Sequence, residues 1–335
     1  MNTIKQPHCN TKMIRTHALL HMAKSIHSIQ AATAQGIEYP APTINLADIQ
    51  QTLDTLETQY YMASSTSAAK SIDQFRASNT TPITSTSANK YVWHYNEAIT
   101  LPFIPAKLAV VGSGIAAIEI ATIYQALGAS VDILITGDEV FPELDKDINK
   151  TFQRYVKRLF KIKVQSEISA FTFTDNQIKL SVTSKNKALP DCIYDAVFIA
   201  DDDDPQNNEL THPFMATSFP TVVWLGWTEK QLASSELNYK VINLPWRALG
   251  RANTDVNTNG LTKLIFNTDD HTLIGGGMIG NNADEIFGEV CLAIHNKFTA
   301  DNIANTVHAH PTLHESILLA AEVYLGTATD VMNEV

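Results

Sequence analysis

Glycine is scarce in the first third of this 335-residue chain. Of its 14 glycines, only Gly36 precedes Gly112. A glycine-rich phosphate loop needs several glycines close together, because the backbone must turn tightly and approach the phosphates. Residues 1–111 therefore cannot form such a loop, and any nucleotide site must begin at residue 112.

Cysteine, basic charge and long apolar runs are also sparse. Cys9, Cys192 and Cys291 lie far apart, which excludes a disulfide framework and a CxxC metal site and predicts a reducing, cytoplasmic location. The 24 lysines and arginines, against 35 aspartates and glutamates, argue against nucleic acid as the main partner. No apolar run reaches the ~18 residues that span a bilayer, and the N-terminus lacks the apolar core of a signal peptide. We expect neither a membrane nor a nucleic-acid partner.

The apolar pattern divides the chain into three predicted regions. Amphipathic helices at 17–35 and 45–62, followed by a Ser/Thr-rich linker, form the first. The second is an α/β Rossmann-type domain, and the third is an α+β domain in which short strands precede helices. The predicted boundaries are 1–89, 90–205 and 206–335.

A βαβ unit is predicted at the start of the Rossmann-type region. It comprises a strand at 107–111, a helix ending at Leu127 and a strand at 130–135. In the third region, Gly275–Gly277 interrupts a strand pattern, which predicts a bulge or a close backbone approach. Other predicted elements are a helix at 146–160, a polar hairpin at 168–183, a closing strand at 193–199, and helices at 283–297 and 312–325.

Residues 112–117, GSGIAA, fit the dinucleotide fingerprint G-x-G-x-x-G/A. Gly112 permits the turn, Gly114 lets the backbone approach a pyrophosphate, and Ala117 allows the helix to pack closely on the strand. The fingerprint also needs an acidic residue about 20 positions further on to bind the ribose hydroxyls. Ile135 stands there and cannot accept a hydrogen bond, so NAD binding is expected to be weakened. The alternative is a Rossmann-type fold kept without dinucleotide binding.

The string HAHPTLHES at 308–316 places a histidine and a glutamate just before a predicted helix. Pro311 suits the start of a helix that carries Glu315. The Glu315 carboxylate is expected to orient the His310 imidazole for acid–base chemistry. The alternative is a surface contact without chemistry. No metal site is predicted in the chain, because no cluster of histidine, cysteine or carboxylate residues has the spacing of a full ligand set.

This string, followed by AAEV, resembles the interface domain of the dihydrolipoamide dehydrogenases, flavin-dependent members of the pyridine nucleotide-disulfide oxidoreductase family. NLPWRALGRANTD and IGGGMIGNNADEIFGE are similar to the same domain. LPFIPAKLAVVGSGIAAIEIATIYQALGASVDIL is similar to the family's NAD domain, and THALLHMAKSI to the helix that follows its redox-active cysteines. The resemblance covers most of the chain. It implies an NAD-type Rossmann domain, an α+β dimerisation domain and a mostly helical remnant of an FAD domain.

The resemblance also implies roles for particular residues. In that family, a first Rossmann motif binds FAD, a CxxxxC pair carries the dithiol chemistry, and a His-Glu pair of one subunit serves the disulfide of the other. His310 and Glu315 match that catalytic pair. The matches to the NAD-binding loop are Gly112, Gly114 and Ala117, with Glu119 as the acid that follows them.

Several functional elements of the family are missing or replaced. The FAD loop has no counterpart, and the Gly-Asp segment that holds the flavin is absent. His8 and Met13 stand where the redox cysteines belong, with Cys9 one place off. Asp202 and Asp203 replace a glycine-arginine turn. We therefore expect that FAD has been lost, and with it the route for electrons from a dithiol to NAD.

Three hypotheses of function follow. The first is a catalytically impaired dihydrolipoamide dehydrogenase-like subunit, a pseudoenzyme. It would form a homodimer, or a heterodimer with an intact dihydrolipoamide dehydrogenase, and could join a 2-oxoacid dehydrogenase complex. The second is an active oxidoreductase that binds FAD and NAD through altered contacts. The third is a decayed gene product, in which Leu19, Leu20 and Ile26 are exposed because no FAD domain covers them.

Overall fold

The computed structural model describes residues 11–64, 90–174, 177–190, 192–200, 210, 212–255 and 258–329. Their contacts divide the chain into two compact units, which are 1–137 with 160–202, and 138–159 with 203–335. This division differs from the three predicted regions in two respects. The N-terminal helices belong to the same unit as the Rossmann-type sheet, and the segment 138–159 belongs to the unit of the C-terminal sheet.

The strands of the first unit form one parallel and one antiparallel sheet. In its described part they are β1 (Val92–Trp93), β2 (Lys107–Val111), β3 (Ser130–Leu134), β4 (Phe160–Lys163), β5 (Ser166–Phe173), β6 (Ile178–Ser184), β7 (Lys187–Ala188), β8 (Cys192–Tyr194) and β9 (Ala196–Ile199). The parallel sheet has the order β1-β9-β2-β3-β4. In the other sheet, β5, β7 and β8 each pair antiparallel with β6. Leu108, Ala109 and Val110 of β2 are fully buried, as expected for a central parallel strand.

The helices of the first unit pack around this sheet. They are α1 (Thr11–Ala32), extended by a 3-10 turn (Thr33–Gln35), α2 (Leu46–Ser64), α3 (Tyr95–Ile99) and α4 (Ile115–Ala126). α1 contacts α2, α3 and α4. The expectation that Leu19, Leu20 and Ile26 are exposed is therefore wrong, since all three are buried.

Two polar contacts attach the N-terminal helices to the rest of the first unit. The Thr16 hydroxyl of α1 lies 2.7 Å from the Tyr95 hydroxyl of α3. Gln50 of α2 donates to the Leu101 carbonyl at 2.9 Å. These contacts and the buried apolar face show why the N-terminal helices fold as part of the Rossmann-type unit.

The second unit is an antiparallel sheet with helices. Its described strands are β10 (Phe214–Ala216), β11 (Thr221–Gly226), β12 (Tyr239–Pro245), β13 (Leu261–Asn267) and β14 (Leu273–Gly280), in the order β10-β11-β14-β13-β12. Its described helices are α5 (Lys146–Val156), α6 (Glu229–Leu232), α7 (Gly250–Thr254), α8 (Ala283–Ile286), α9 (Gly288–His295), α10 (Ala300–Ala304) and α11 (Glu315–Leu325), with a 3-10 turn at Trp246–Ala248. This is the predicted α+β arrangement.

Close approach of neighbouring atoms, either backbone or side chain, explains the glycines at 275–277 of β14. A Cβ atom on Gly277 would lie 2.0 Å from the ring of Trp224, on the neighbouring strand β11. One on Gly275 would lie 2.1 Å from the carbonyl oxygen of Trp227. The close approach predicted at Gly275–Gly277 is therefore confirmed.

Several predicted elements have different limits in the structure, since the helix predicted at 17–35 spans Thr11–Ala32 and the one predicted at 312–325 begins at Glu315. The helix at 146–160 ends at Val156, because Phe160 pairs with Val131 in the parallel sheet. The strand at 193–199 is divided at Asp195, whose carboxylate accepts the Lys107 N–H at 2.8 Å. The C-terminal helices number four in the described residues, since the one predicted at 283–297 is interrupted at Phe287 and α10 precedes α11.

Some predictions lie outside the described residues. These concern His8, Cys9, the turn at Asp175-Asn176, Asp201–Asp204 and most of the linker predicted at 63–89, whose first two residues belong to α2. Across the described ranges, no helix is both long and apolar enough to cross a membrane.

Candidate functional site

His310 and Glu315 form a hydrogen-bonded pair where the chain enters α11. His310 Nδ1 lies 2.8 Å from Glu315 Oε1. The backbone N–H of Thr312 donates to Glu315 Oε2, also at 2.8 Å. The Glu315 side chain is 17% exposed and the His310 side chain is 77% exposed. The carboxylate is thus held through both oxygens, while the imidazole stays accessible.

The surroundings of Glu315 favour its ionised form. Burial raises the pKa of its carboxyl, but the hydrogen bonds from His310 and Thr312 and the nearby imidazoles lower it further, so the net shift is downward. An ionised carboxylate keeps the proton of His310 on Nδ1, because only a protonated nitrogen can donate to it. Nε2 is then the ring atom that accepts or releases a proton.

A second carboxylate, Glu289 of α9, contacts two other histidines of the same segment. Glu289 Oε1 lies 2.6 Å from His308 Nε2, and Oε2 lies 2.9 Å from His314 Nδ1. The sequence analysis missed these three residues. Its available signal was the presence of three histidines within HAHPTLH, but nothing local indicates Glu289 as their partner.

The predicted nucleotide loop has the backbone of a pyrophosphate cradle. Gly112 adopts φ +137°, and a Cβ atom there would lie 2.7 Å from the Cβ of Ala200. Gly114 caps α4, and Ala117 in its first turn is fully buried. These residues fit the diphosphate of a dinucleotide, which binds where a tight turn leads into a helix N-terminus.

The side chains near this loop do not fit the ribose of NAD. Ile135 follows β3 and is only 1% exposed, so it belongs to the core and offers no acceptor. Glu119, which the resemblance placed after the loop, is buried on α4. The loop therefore keeps the backbone part of a dinucleotide site, while Ile135 stands where a ribose acceptor is required.

Residues 11–64 do not fit the diphosphate of FAD. They form α1, a short turn and α2, and their one glycine, Gly36, ends the turn. A Cβ atom on Gly36 would meet no atom within 4 Å, so the backbone makes no close approach there. The described N-terminal residues thus lack the phosphate-binding turn that a flavin needs.

A buried lysine in the second unit binds three carboxylates. Lys263 of β13 is 0% exposed, and its Nζ lies 3.0 Å from Asp145 and 2.7 Å from Asp147, and also bonds Glu229. Burial lowers the pKa of Lys263, but the carboxylates raise it further, and the net shift is upward. The three carboxylates are close enough together to hold a metal ion, but the ammonium group lies among them. This cluster ties α5 and α6 to the sheet.

Comparison with known proteins places the two halves of the chain in one family of sequences. Residues 75–209 match the family model described as pyridine nucleotide-disulphide oxidoreductase, and residues 213–321 match the dimerisation domain of the same description. The dihydrolipoyl dehydrogenase of Haemophilus influenzae is 28% identical, over 97% of this chain and 88% of that protein. The one from Vibrio cholerae is 28% identical, over 99% and 90%. The one from Buchnera aphidicola subsp. Acyrthosiphon pisum is 31% identical, over 72% and 65%.

Solved structures with the same fold are more distant in sequence. LpdA from Mycobacterium tuberculosis superposes with a TM-score of 0.75 at 14% identity, over 92% of this chain and 89% of that one. The HOCl-induced flavoprotein disulfide reductase RclA from Escherichia coli, solved as a Cu(II) complex, gives 0.70 at 15% identity, over the same shares. At such identities these structures support the fold alone, and they agree with the predicted fold class.

Proposed function

This chain belongs to the pyridine nucleotide-disulfide oxidoreductase family, and from that premise we propose that it is an auxiliary, dihydrolipoyl dehydrogenase-like subunit. In this proposal it pairs with a flavin-bearing member of the family and supplies His310 and Glu315 to the redox disulfide of that partner. The subunit itself is catalytically impaired. The family resemblance read from the sequence is confirmed by the matches at 75–209 and 213–321.

The observation that carries this proposal is the geometry of the His310–Glu315 pair. A general base needs a fixed tautomer and access to its substrate. Glu315 accepts from His310 Nδ1 at 2.8 Å, and the imidazole is largely exposed. The chain thus holds an acid–base pair whose imidazole is largely exposed.

The proposed chemistry is proton transfer during thiol–disulfide exchange. A thiol of the substrate attacks one sulfur of the partner's disulfide, and its S–H proton passes to His310 Nε2. The new S–S bond forms as the other disulfide sulfur leaves as a thiolate. Glu315 stabilises the imidazolium, which returns the proton in a later step. A flavin bound to the partner would supply the acceptor for the electron pair of that partner's dithiol.

The state of the other family sites supports a subunit that needs an intact partner. Residues 11–64 do not fit the diphosphate of FAD, and Ile135 replaces the ribose acceptor. His8 and Met13 occupy the positions of the redox cysteines in the family pattern. A homodimer would bring together two His310–Glu315 pairs and no disulfide of that pattern.

The second unit also supports association. It matches the family's dimerisation domain, and it exposes large apolar side chains that a partner would cover. Leu292, Phe298 and Val307 are three of them. We propose that contact with a 2-oxoacid dehydrogenase complex is made through the intact partner.

A second candidate is an active oxidoreductase that binds its own cofactors. The observation that favours it is the cradle at Gly112, which suits a diphosphate. An absorption spectrum of the purified chain separates the two candidates. Stoichiometric flavin together with lipoamide turnover supports the active enzyme and contradicts the auxiliary subunit.

The auxiliary role is tested in a hybrid dimer. A full-length dihydrolipoyl dehydrogenase whose own dyad histidine is replaced by glutamine is coexpressed with this chain, and dimers containing both chains are purified through two different tags. We expect dihydrolipoamide-dependent reduction of NAD to NADH by the hybrid and none by either chain alone. Failure to form the hybrid, or an inactive hybrid, overturns the proposal.

A further inference from the structure

Glu289 joins two points of the chain that lie on either side of His310. His308 is two residues before His310, and His314 is the residue before Glu315. Glu289 contacts the first at 2.6 Å and the second at 2.9 Å, using a different carboxylate oxygen for each. The segment that carries the acid–base pair is thus fixed at both ends to one side chain of α9.

Hydrogen-bond accounting shows why this contact needs a carboxylate. His308 is 6% exposed, and its Nδ1 lies 2.8 Å from the carbonyl oxygen of Thr306. A carboxylate only accepts, so the contact of His308 with Glu289 is a donation from Nε2. His314 donates from Nδ1. Two N–H donors therefore converge on Glu289. A carboxamide in its place could accept only one of these hydrogen bonds, because its oxygen accepts but its nitrogen is itself a donor.

We infer that Glu289 is a positioning residue for the His310–Glu315 pair. By holding His314 at the entry to α11 it sets where Glu315 begins the helix, and by holding His308 it sets where the chain turns toward His310. In the middle of the segment, the Thr312 N–H also donates to Glu315, at 2.8 Å. Without Glu289, His308 and His314 lose the partner that they share, and we expect the imidazole of His310 to be held less firmly at its distance from Glu315.

The catalytic consequence rests on the proposed function, but the positioning itself does not. It is therefore tested first on the full-length chain by ¹⁵N-histidine NMR. The readout is the Nδ1 proton of His310, which exchanges slowly only while it is hydrogen-bonded to Glu315. We expect Glu289→Gln to speed this exchange by about 10-fold or more. Glu285→Gln removes an equal charge from an exposed position on α8 and is expected to leave the signal unchanged.

His314 offers a matched pair of variants. In His314→Asn the side-chain amide nitrogen takes the place of Nδ1 and still donates to Glu289, so the His310 signal is expected to persist. In His314→Leu the donor is lost, and the signal is expected to weaken as in Glu289→Gln. Circular dichroism and thermal melting check that each variant is folded. A folded Glu289→Gln chain with an unchanged His310 signal overturns the inference.

The hybrid dimer then measures the effect on chemistry. A misplaced catalytic group slows the chemical step without weakening substrate binding. We therefore expect Glu289→Gln to lower kcat about 10-fold and to leave KM unchanged. A hybrid that is inactive even with the unmodified chain contradicts the proposed function and leaves the NMR result standing. A hybrid whose kcat is unaffected by Glu289→Gln contradicts the positioning role.

Discussion

The nucleotide loop of the first unit and the His310–Glu315 site of the second keep different parts of a functional site. At the loop, Gly112 and Ala117 provide the backbone turn and the close packing, while Ile135 stands where a polar side chain is needed. At the other site, both polar side chains are present and in contact. The nucleotide loop thus keeps the backbone of a site without the polar side chain that it needs, whereas the second site keeps both of its polar side chains.

The difference follows from what each residue does for the fold. Gly112 avoids a clash with Ala200, and Ile135 fills the core, so packing alone accounts for both. Glu315 also has a structural contact, because it accepts the N–H of Thr312 at the entry to α11. His310 is largely exposed, and packing does not explain it. His310 is therefore the residue to which the proposed function assigns a chemical role.

The largest expected effect concerns the His310–Glu315 pair. In the hybrid dimer, His310→Gln removes the general base and is expected to lower kcat by roughly 100- to 10,000-fold. Because the side chain is exposed, the melting temperature should hardly change. Steady-state kinetics and thermal melting of the same preparation check both parts. A hybrid that keeps its kcat after this substitution would show that the site is not catalytic.

Removal of the buried cation tests whether the second unit is held together independently of its surface site. Lys263→Met leaves three carboxylates without their counter-ion, and it is expected to cost about 3–5 kcal/mol of the free energy of unfolding. Lys297→Met, at an exposed lysine of the same unit, serves as the control and should cost little. Urea denaturation monitored by circular dichroism measures both. Equal losses in the two variants would contradict the account of the cluster.

The next prediction restores, at the nucleotide loop, the acceptor that the ribose of NAD requires. Ile135→Glu supplies a carboxylate for the ribose hydroxyls, and a hydrogen bond to a charged group is expected to lower the Kd for NADH about 10-fold. Ile135→Leu keeps the position apolar and should leave the Kd unchanged. Fluorescence titration with NADH compares the two folded variants. If Ile135→Glu folds and gains no affinity, the loop is not a dinucleotide site lacking only its acid.

The smallest effect concerns the pH dependence of stability at the His–Glu pair. The pKa of Glu315 is lower in the folded protein than in the unfolded chain, so its ionised form stabilises the fold at neutral pH. That contribution is lost as the pH falls through the lowered pKa. The difference in unfolding free energy between the unmodified chain and Glu315→Gln should therefore shrink on acidification. A difference that grows instead would mean that Glu315 is not held in its ionised form.

Local features of the fold could be predicted from the sequence, and features that depend on distant contacts could not. The βαβ unit around Gly112 was predicted because apolar runs and glycines mark strand, turn and helix within a few dozen residues. His310 and Glu315 were predicted because they are close in the chain. The limits at Phe160 were wrong because sheet pairing with Val131, rather than local helical preference, decides its structure.

The Lys263 cluster shows what a sequence does not reveal. Asp147 is 116 positions away from Lys263, and Glu229 is 34 positions away. No local pattern relates these residues, and only the packing of α5 and α6 on the sheet brings them together. The contacts of Glu289 with His308 and His314 were not predicted for the same reason. The cytoplasmic location and the identity of the partner stay predictions.

The flavin content of an active hybrid dimer tests the central claim most directly. If this chain supplies the acid–base pair and its partner supplies the flavin and the disulfide, a purified hybrid in which only this chain keeps the dyad histidine will turn over lipoamide with one flavin per dimer. Two flavins per dimer, or one flavin without turnover, would contradict that division of labour.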